Sequence, residues 1–222
     1  MKISTKLNDL LKVEHPIMLA GMAGVAYSEV CAAVSNAGGY GTLGAANMSV
    51  KEISEEAKKV RELTDKTFGI DLLSPVPDQL EKGVDAIIDS GASSFIAGLG
   101  VPFPIIEKLH NAGLLVISMC GTVNHAIKAE EAGCDIVVAQ GTEAGGHTGK
   151  IGGMALIPQV VDAVKIPVVA AGSIIDGRGL AAALAFGAVG VWVGTRFIMS
   201  IEAHAHQDAK NHMLKSGIED TS

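Results

Sequence analysis

The chain has 222 residues, 48% of them hydrophobic, 18% charged and 4% aromatic, with a formal net charge of −7 and an isoelectric point near 5.4. That is room for one large domain or two small ones with a core of Val, Ile, Leu and Ala. The acidic balance, with no Lys/Arg cluster, excludes a nucleic-acid partner, because phosphate binding needs a basic footprint.

No uninterrupted apolar run approaches the ~20 residues of a membrane helix, and the charged start MKISTKLNDLLK lacks a signal-peptide core. Cys31, Cys120 and Cys134 are scattered and form no CxxC pair. They fit buried thiols in a reducing compartment better than a disulfide frame or a metal site. The expectation is a cytoplasmic protein with no membrane partner and no bound metal.

In chain order the short apolar runs are PIMLA from Pro16, YGTLG from Tyr40, TFGID from Thr67 and SFIAG from Ser94. LLVIS from Leu114, DIVVA from Asp135, PVVAA from Pro167 and GVWVG from Gly190 complete the series. Most are apolar on both alternating positions, as parallel strands buried on both faces require. Helix-like segments separate them; in SVKEISEEAKKVREL, Ser49 can cap and Glu52 completes a capping box. Gly38, Gly91, Gly113, Gly133 and Gly187 each follow a helix-like stretch and suit the left-handed residue that closes a helix. Strict alternation leaves an open doubly wound sheet or a closed barrel. Eight short units favour a parallel, eight-stranded α/β (β/α)8 TIM barrel. No linker or low-complexity stretch interrupts it, so residues 1–222 are expected to form one domain.

A barrel of this kind carries its site at the C-terminal ends of its strands. The exits begin Gly21-Met22, Gly44-Ala45, Asp71-Leu72, Gly98-Leu99, Met119-Cys120, Gln140-Gly141, Gly172-Ser173 and Gly194-Thr195. Five of the eight open on glycine, which either eases tight turns or leaves a bare floor for a flat ring. Exits seven and eight, AAGSIIDGRG and WVGTRF, read either as a phosphate cradle of amides and hydroxyls or as ordinary turns with Asp176 as a cap. A phosphate beside a flat floor points to a nucleotide-like cofactor such as FMN.

AQGTEAGGHTG, together with AAGSIIDGRG and GVWVGTRF, resembles the nitronate monooxygenase (2-nitropropane dioxygenase) family and the related FMN-dependent enoyl-ACP reductases. The likeness runs from about Leu10 to the end and includes PIMLAGMAG and NAGGYGTLGA. It implies an FMN-bearing barrel with Gly21 and Met22 near the ring and Gln140 and Gly145 beside it. Gly172, Ser173, Gly194 and Thr195 would hold the phosphate. His147 matches the active-site histidine, a base toward the nitroalkane or a partner for the nitronate's charge. The implied reaction oxidises alkyl nitronates with dioxygen and needs no nicotinamide.

Asp71 stands where the family has an asparagine that contacts the flavin. A carboxyl there must find a donor, stay protonated, or repel a reduced anionic flavin. The family also continues beyond GIEDTS with a segment that helps cover the site, so the barrel is expected to lack most of it.

Imidazole gives and takes protons near neutrality, which suits His147 to either role. Glu143 either caps the loop or is a solvated acid. The other six histidines read as structural or exposed in helical and helix-end contexts, and HAH at 204–206 is discounted as a metal pair because i and i+2 diverge on a helix. Two other functions compete with nitronate oxidation. One is an NAD(P)H-dependent enoyl-ACP reductase, to which the short connection after His147 is equally suited. The other is a flavin- or phosphate-binding barrel without turnover. Oligomeric state stays open, a homodimer being one arrangement that exposed barrel helices allow.

Overall fold

A parallel sheet of eight strands either keeps two bare edges or closes on itself. In the computed structural model, which describes residues 3–73 and 77–220, it closes. The strands are β1 (Ile17–Leu19), β2 (Gly41–Gly44), β3 (Phe68–Leu72), β4 (Ser94–Ala97), β5 (Leu115–Cys120), β6 (Ile136–Gln140), β7 (Val168–Ala171) and β8 (Gly190–Val193). They run β1-β8-β7-β6-β5-β4-β3-β2, with parallel pairing throughout. The last seam pairs Met18 with Tyr40: the Leu19 N–H donates to the Tyr40 carbonyl and the Tyr40 N–H to the Ile17 carbonyl, both at 2.9 Å. All eight expected strands are present. Their ends move outward at β3, β5 and β6, so Leu72, Met119 and Gln140 are strand residues rather than loop residues.

Helices α2 (Ser28–Asn36), α3 (Val50–Leu63), α4 (Pro77–Asp89), α5 (Ile106–Asn111), α6 (Val123–Ala132), α7 (Gly153–Ala163) and α8 (Gly177–Ala185) follow the first seven strands in turn. A short α9 (Thr195–Ile198) and α10 (Gln207–Lys215) follow β8. Among the described residues no helix is long and apolar enough to cross a membrane. Ser49 and Glu52 form the expected capping box on α3. All five expected helix-closing glycines are left-handed, with φ between 77° at Gly91 and 98° at Gly133.

Two-residue alternation sorts the strand side chains. Met18, Ile96, Ile117, Val138, Val169 and Trp192 point inward and pack together. Leu7 and Leu11 of α1 (Lys6–Leu11) join that cluster and close the N-terminal end of the barrel. Thr5 Oγ1 donates to the carbonyl of Val189, just before β8, at 2.5 Å, and Thr67 Oγ1, just before β3, donates to Leu11 O at 2.6 Å. Outward residues such as Leu43, Ile70, Phe95, Val116 and Val137 form the larger core beneath the helices. All three cysteines are buried and free, as expected.

Tyr40 is the largest polar residue in the interior, and β3 makes room for it. Its hydroxyl hydrogen-bonds Ser94 Oγ at 2.6 Å and Ser93 Oγ at 2.8 Å. Gly69 lies inward beside it: an added Cβ would sit 2.6 Å from Ser94 Oγ, 2.7 Å from Ile96 and 3.0 Å from the Tyr40 ring.

Helix α2 begins at Tyr27 without a side-chain cap of its own. Glu56 of α3 supplies one, accepting the Ser28 N–H at 3.1 Å while Lys59 Nζ donates to its other oxygen at 2.6 Å. Burial alone would raise the Glu56 carboxyl, but the bonds from Lys59 and Ser28 outweigh it and hold it below the ordinary range.

The reading of HAH as a helical pair and that of His15 change, while His206 keeps its helix-end place as the N-cap of α10. His204 and His206 lie in a non-helical stretch before α10. The His204 ring meets Tyr27 edge-on at 4.9 Å, and His206 Nδ1 caps α10 by accepting the Asp208 N–H at 3.2 Å. They are occupied by these local contacts rather than separated by helical geometry. His15 sits in the turn before β1 and not at a helix end.

Two outcomes follow for stability. Gly69→Ala overpacks the barrel and is expected to cost about 1–3 kcal/mol in denaturant unfolding. Glu56→Ala should cost about 1–2 kcal/mol at pH 7. A depressed carboxylate stabilises above its unfolded pKa and stops doing so as pH falls through the folded value. The gap between Glu56→Ala and the parent should therefore shrink as acid is added below pH 4.5.

Candidate active site

Every residue proposed for the site lies at or just beyond the C-terminal ends of the strands, so closure alone gathers them on one rim. Around β1 to β4 they touch. A Cβ on Gly21 would collide with the Asp71 carboxyl, and one on Gly98 would lie 2.6 Å from Asp71 Oδ1. A Cβ on Gly44 would collide with the Met22 backbone. On Gly194 a Cβ would make ordinary contact, 3.5 Å from both Ala20 Cβ and Met22 Sδ.

These contacts correct the reading of a bare glycine floor. Three of its five glycines are bare because protein atoms already fill the space, two of them against the same carboxyl.

Asp71 lies inward on β3, two residues after Gly69, and is 8% exposed. Among the described residues no donor or cation reaches its side chain. Burial pushes the Asp71 carboxyl up to about 8. Of the three outcomes open to an acid here, that direction favours the second, a carboxyl that keeps its proton.

The β6 exit is built differently. Thr142 N–H donates to Ile151 O at 2.9 Å and ties the base of an excursion that carries His147 at its exposed tip. Gln140 Nε2 donates to Gly145 O at 3.2 Å. Glu143 turns back to α7, whose N-cap is Gly152, and both carboxylate oxygens accept the Gly153 N–H, at 2.8 and 3.0 Å. Of its two readings, Glu143 is the cap.

The glycines around His147 have separate reasons. Gly146 has φ of 79°, while a Cβ on Gly149 would lie 2.6 Å from the Gly121 carbonyl beyond β5. Gly145 faces open space. The Gly121–Gly149 contact pins the loop to its neighbour, and neither residue stood out in the sequence because such a contact leaves no local pattern. His147 itself makes no hydrogen bond among the described residues.

At the β7 exit Gly172 has φ of 114° and Ser173, a non-glycine, has φ of 52°. That unusual pair turns the chain so that the Ser173 and Ile174 amides donate to no acceptor among the described residues. Gly172 lies against Ala144 N and Gly141 O, at 3.3 and 3.5 Å from an added Cβ, which joins the β6 and β7 exits. Asp176 caps α8 through the Arg178 N–H at 2.9 Å and pairs with the Arg178 guanidinium at 2.7 Å. Those Arg178 bonds hold the Asp176 carboxyl down to about 2. Thr195 opens α9 and is exposed. No cluster of three or more metal-ligating side chains occurs among the described residues.

Comparison with known proteins agrees with this geometry. The nitronate monooxygenase family profile matches residues 4–86 and 79–222. A (3aS,4S,5R,7aS)-5-hydroxy-7a-methyl-1-oxo-octahydro-1H-indene-4-carboxyl-CoA dehydrogenase of Rhodococcus jostii is 41% identical over 99% of the chain. A probable nitronate monooxygenase of Staphylococcus saprophyticus is 38% identical over the whole chain, which covers 75% of that relative. The chain spans 62% of the length of the Rhodococcus relative. Among solved structures, FabK from Thermotoga maritima superposes with a TM-score of 0.96 at 38% identity, over 99% of this chain and 70% of its own. Nitroalkane oxidase from Streptomyces ansochromogenes superposes with a TM-score of 0.87 at 33% identity, over 92% and 71%. A closed eight-stranded barrel with this rim, matched along nearly its whole length, belongs to the nitronate monooxygenase family.

Proposed function

We propose that residues 1–222 act as one FMN-binding domain of a flavin-dependent oxidoreductase that oxidises alkyl nitronates with dioxygen. The observation that carries this reading is His147, without a hydrogen-bond partner among the described residues, on an exposed loop tip above a rim whose Ser173 and Ile174 amides meet no acceptor among them. The residues present fit FMN. Gly172 and Ser173, with their left-handed turn, and Gly194 and Thr195 would hold the phosphate by amides and hydroxyls. Gly21, Met22, Asp71, Gln140 and Gly145 would border the ring; among them Asp71 is a buried polar group in want of a partner. FMN bound there would supply the electron acceptor, with dioxygen as the final one.

The chain's own residues handle the proton and the charge. His147 Nδ1 or Nε2 takes a proton from the carbon acid, or as imidazolium holds the nitronate oxygens. Glu143 and the Gly121–Gly149 contact position that imidazole by anchoring both sides of its loop. The three buried free thiols support a reducing, cytoplasmic setting.

A second reading is favoured by the relatives. One named as a carboxyl-CoA dehydrogenase and the close superposition of FabK, an enoyl-ACP reductase, support reaction of an acyl thioester with NAD(P)H. There His147 would exchange a proton with the acyl group.

The two readings separate in one cuvette. Protein loaded with FMN should show a flavin spectrum that bleaches with an alkyl nitronate without NAD(P)H under argon and recovers in air. Anaerobic bleaching by NADH, reversed by an enoyl thioester, would select the second instead, and a coloured protein inert to both would mark a binding barrel. His147→Ala should lower kcat/KM in the productive assay about 10²–10⁴-fold while FMN stays bound; an unchanged rate removes the histidine from the chemistry. Glu143→Ala should lower unfolding stability by about 1 kcal/mol through loss of the α7 cap and reduce kcat more than FMN affinity.

A further inference from the structure

We infer that Asp71 recognises the polar pyrimidine edge of the flavin as a neutral acid, so that FMN binds together with one proton and is released as the solution turns alkaline. The inference rests on the flavin reading above and adds the chemical form of the group that reads the ring.

Four observations carry it. Asp71 lies inward at the C-terminal end of β3, on the same side of the strand as Gly69. It is 8% exposed and wedged between Gly21 and Gly98, two positions that any Cβ would take from it. Nothing among the described residues satisfies it. Finally, the ring order places β3 four strands from β7 in either direction. A ligand with its phosphate on the β7 and β8 exits must therefore cross the mouth to reach Asp71 with its far end.

The chemistry of that far end selects the protonation state. The pyrimidine edge of a flavin presents an N–H between two carbonyls. A neutral carboxyl offers a hydroxyl donor beside a carbonyl acceptor, which matches an N–H beside a carbonyl in one plane. A carboxylate only accepts, so it leaves the flavin carbonyls unpaired and places an uncompensated charge in a buried site.

Among the described residues no charged or titratable group faces the carboxyl. From β2 the paired residue is Gly44, from β4 it is Ile96, and Gly21 and Gly98 close on it from the exits. His147 is the other titratable group among the proposed site residues, on the β6 loop. Burial, which raises the Asp71 carboxyl to about 8, keeps the binding form dominant at neutral pH.

The test measures FMN affinity of the flavin-free protein by fluorescence quenching from pH 6 to pH 10, for the parent and for Asp71→Asn. The parent should bind evenly at the acid end and weaken about tenfold per pH unit once Asp71 ionises. Asp71→Asn, which keeps a donor beside an acceptor but cannot ionise, should show no such fall. A parent affinity flat with pH, or an equal fall in Asp71→Asn, overturns the inference.

A second measurement needs no flavin. A carboxyl with a raised folded pKa takes up a proton on folding, so stability falls as pH rises from its ordinary value near 3.8 to about 8. The denaturant midpoint of Asp71→Asn should therefore pull ahead of the parent across that window and hold its lead above it. No widening overturns the inference. Widening with pH-independent FMN affinity places the proton on Asp71 but away from the flavin, which overturns it while the flavin reading stands. Failure of both proteins to bind FMN at any pH sinks the flavin reading itself.

Discussion

The two main-chain bonds between β1 and β2, Leu19 N–H to Tyr40 O and Tyr40 N–H to Ile17 O, decide what this molecule is. Without them the eight strands would form an open sheet whose β1 and β2 exits lie far apart. With them the β1 exit meets those of β2 and β3, so that Gly44 comes to rest on the Met22 backbone and Gly21 on the Asp71 carboxyl. The seam is short, so packing on both sides of it carries the burden. Inside, Tyr40 is held by Ser93 and Ser94 across the space that Gly69 leaves. Outside, α2 covers the seam and α3 packs on α2, joined to it by Glu56, which caps the one with a carboxylate from the other. Tyr40 thus links closure of the backbone to filling of the interior.

Once closed, the barrel has one rim where loops meet, and there the usual preference for satisfied buried polar groups is broken. Asp71 is buried without a donor, at a cost that apolar neighbours cannot offset. Burial pushes its carboxyl up, the direction that favours the neutral acid and limits that cost. Nearby loops follow the ordinary rule: Glu143, Asp176 and Ser49 each satisfy the start of a helix. Among the described residues neither the Asp71 carboxyl nor His147 has a hydrogen-bond partner, which sets them apart from those caps, and both lie at the C-terminal ends of the strands, where barrels carry their sites.

Much of this was legible beforehand, for local reasons. Mostly apolar runs of five residues flagged every strand, because burial on both faces leaves few polar positions to disguise one. Glycines after helices flagged the left-handed caps, since only glycine takes that conformation without strain. His147 was legible as a loop histidine among glycines, but the reasons for those glycines were not. Gly149 is glycine because of Gly121, and Gly21 because of Asp71. Each pair meets only when separate strands are brought side by side, so no spacing along the chain records it.

The division falls along that line. Periodicity, capping and turn chemistry act within a few residues, so the sequence by itself determined eight βα units, their helix ends and the family they belong to. Desolvation and collision depend on atoms that arrive from elsewhere in the chain. Only the tertiary structure therefore decided that the sheet closes at Met18 and Tyr40, that the glycine floor is partly filled, that Glu143 caps α7, and that burial raises the Asp71 carboxyl.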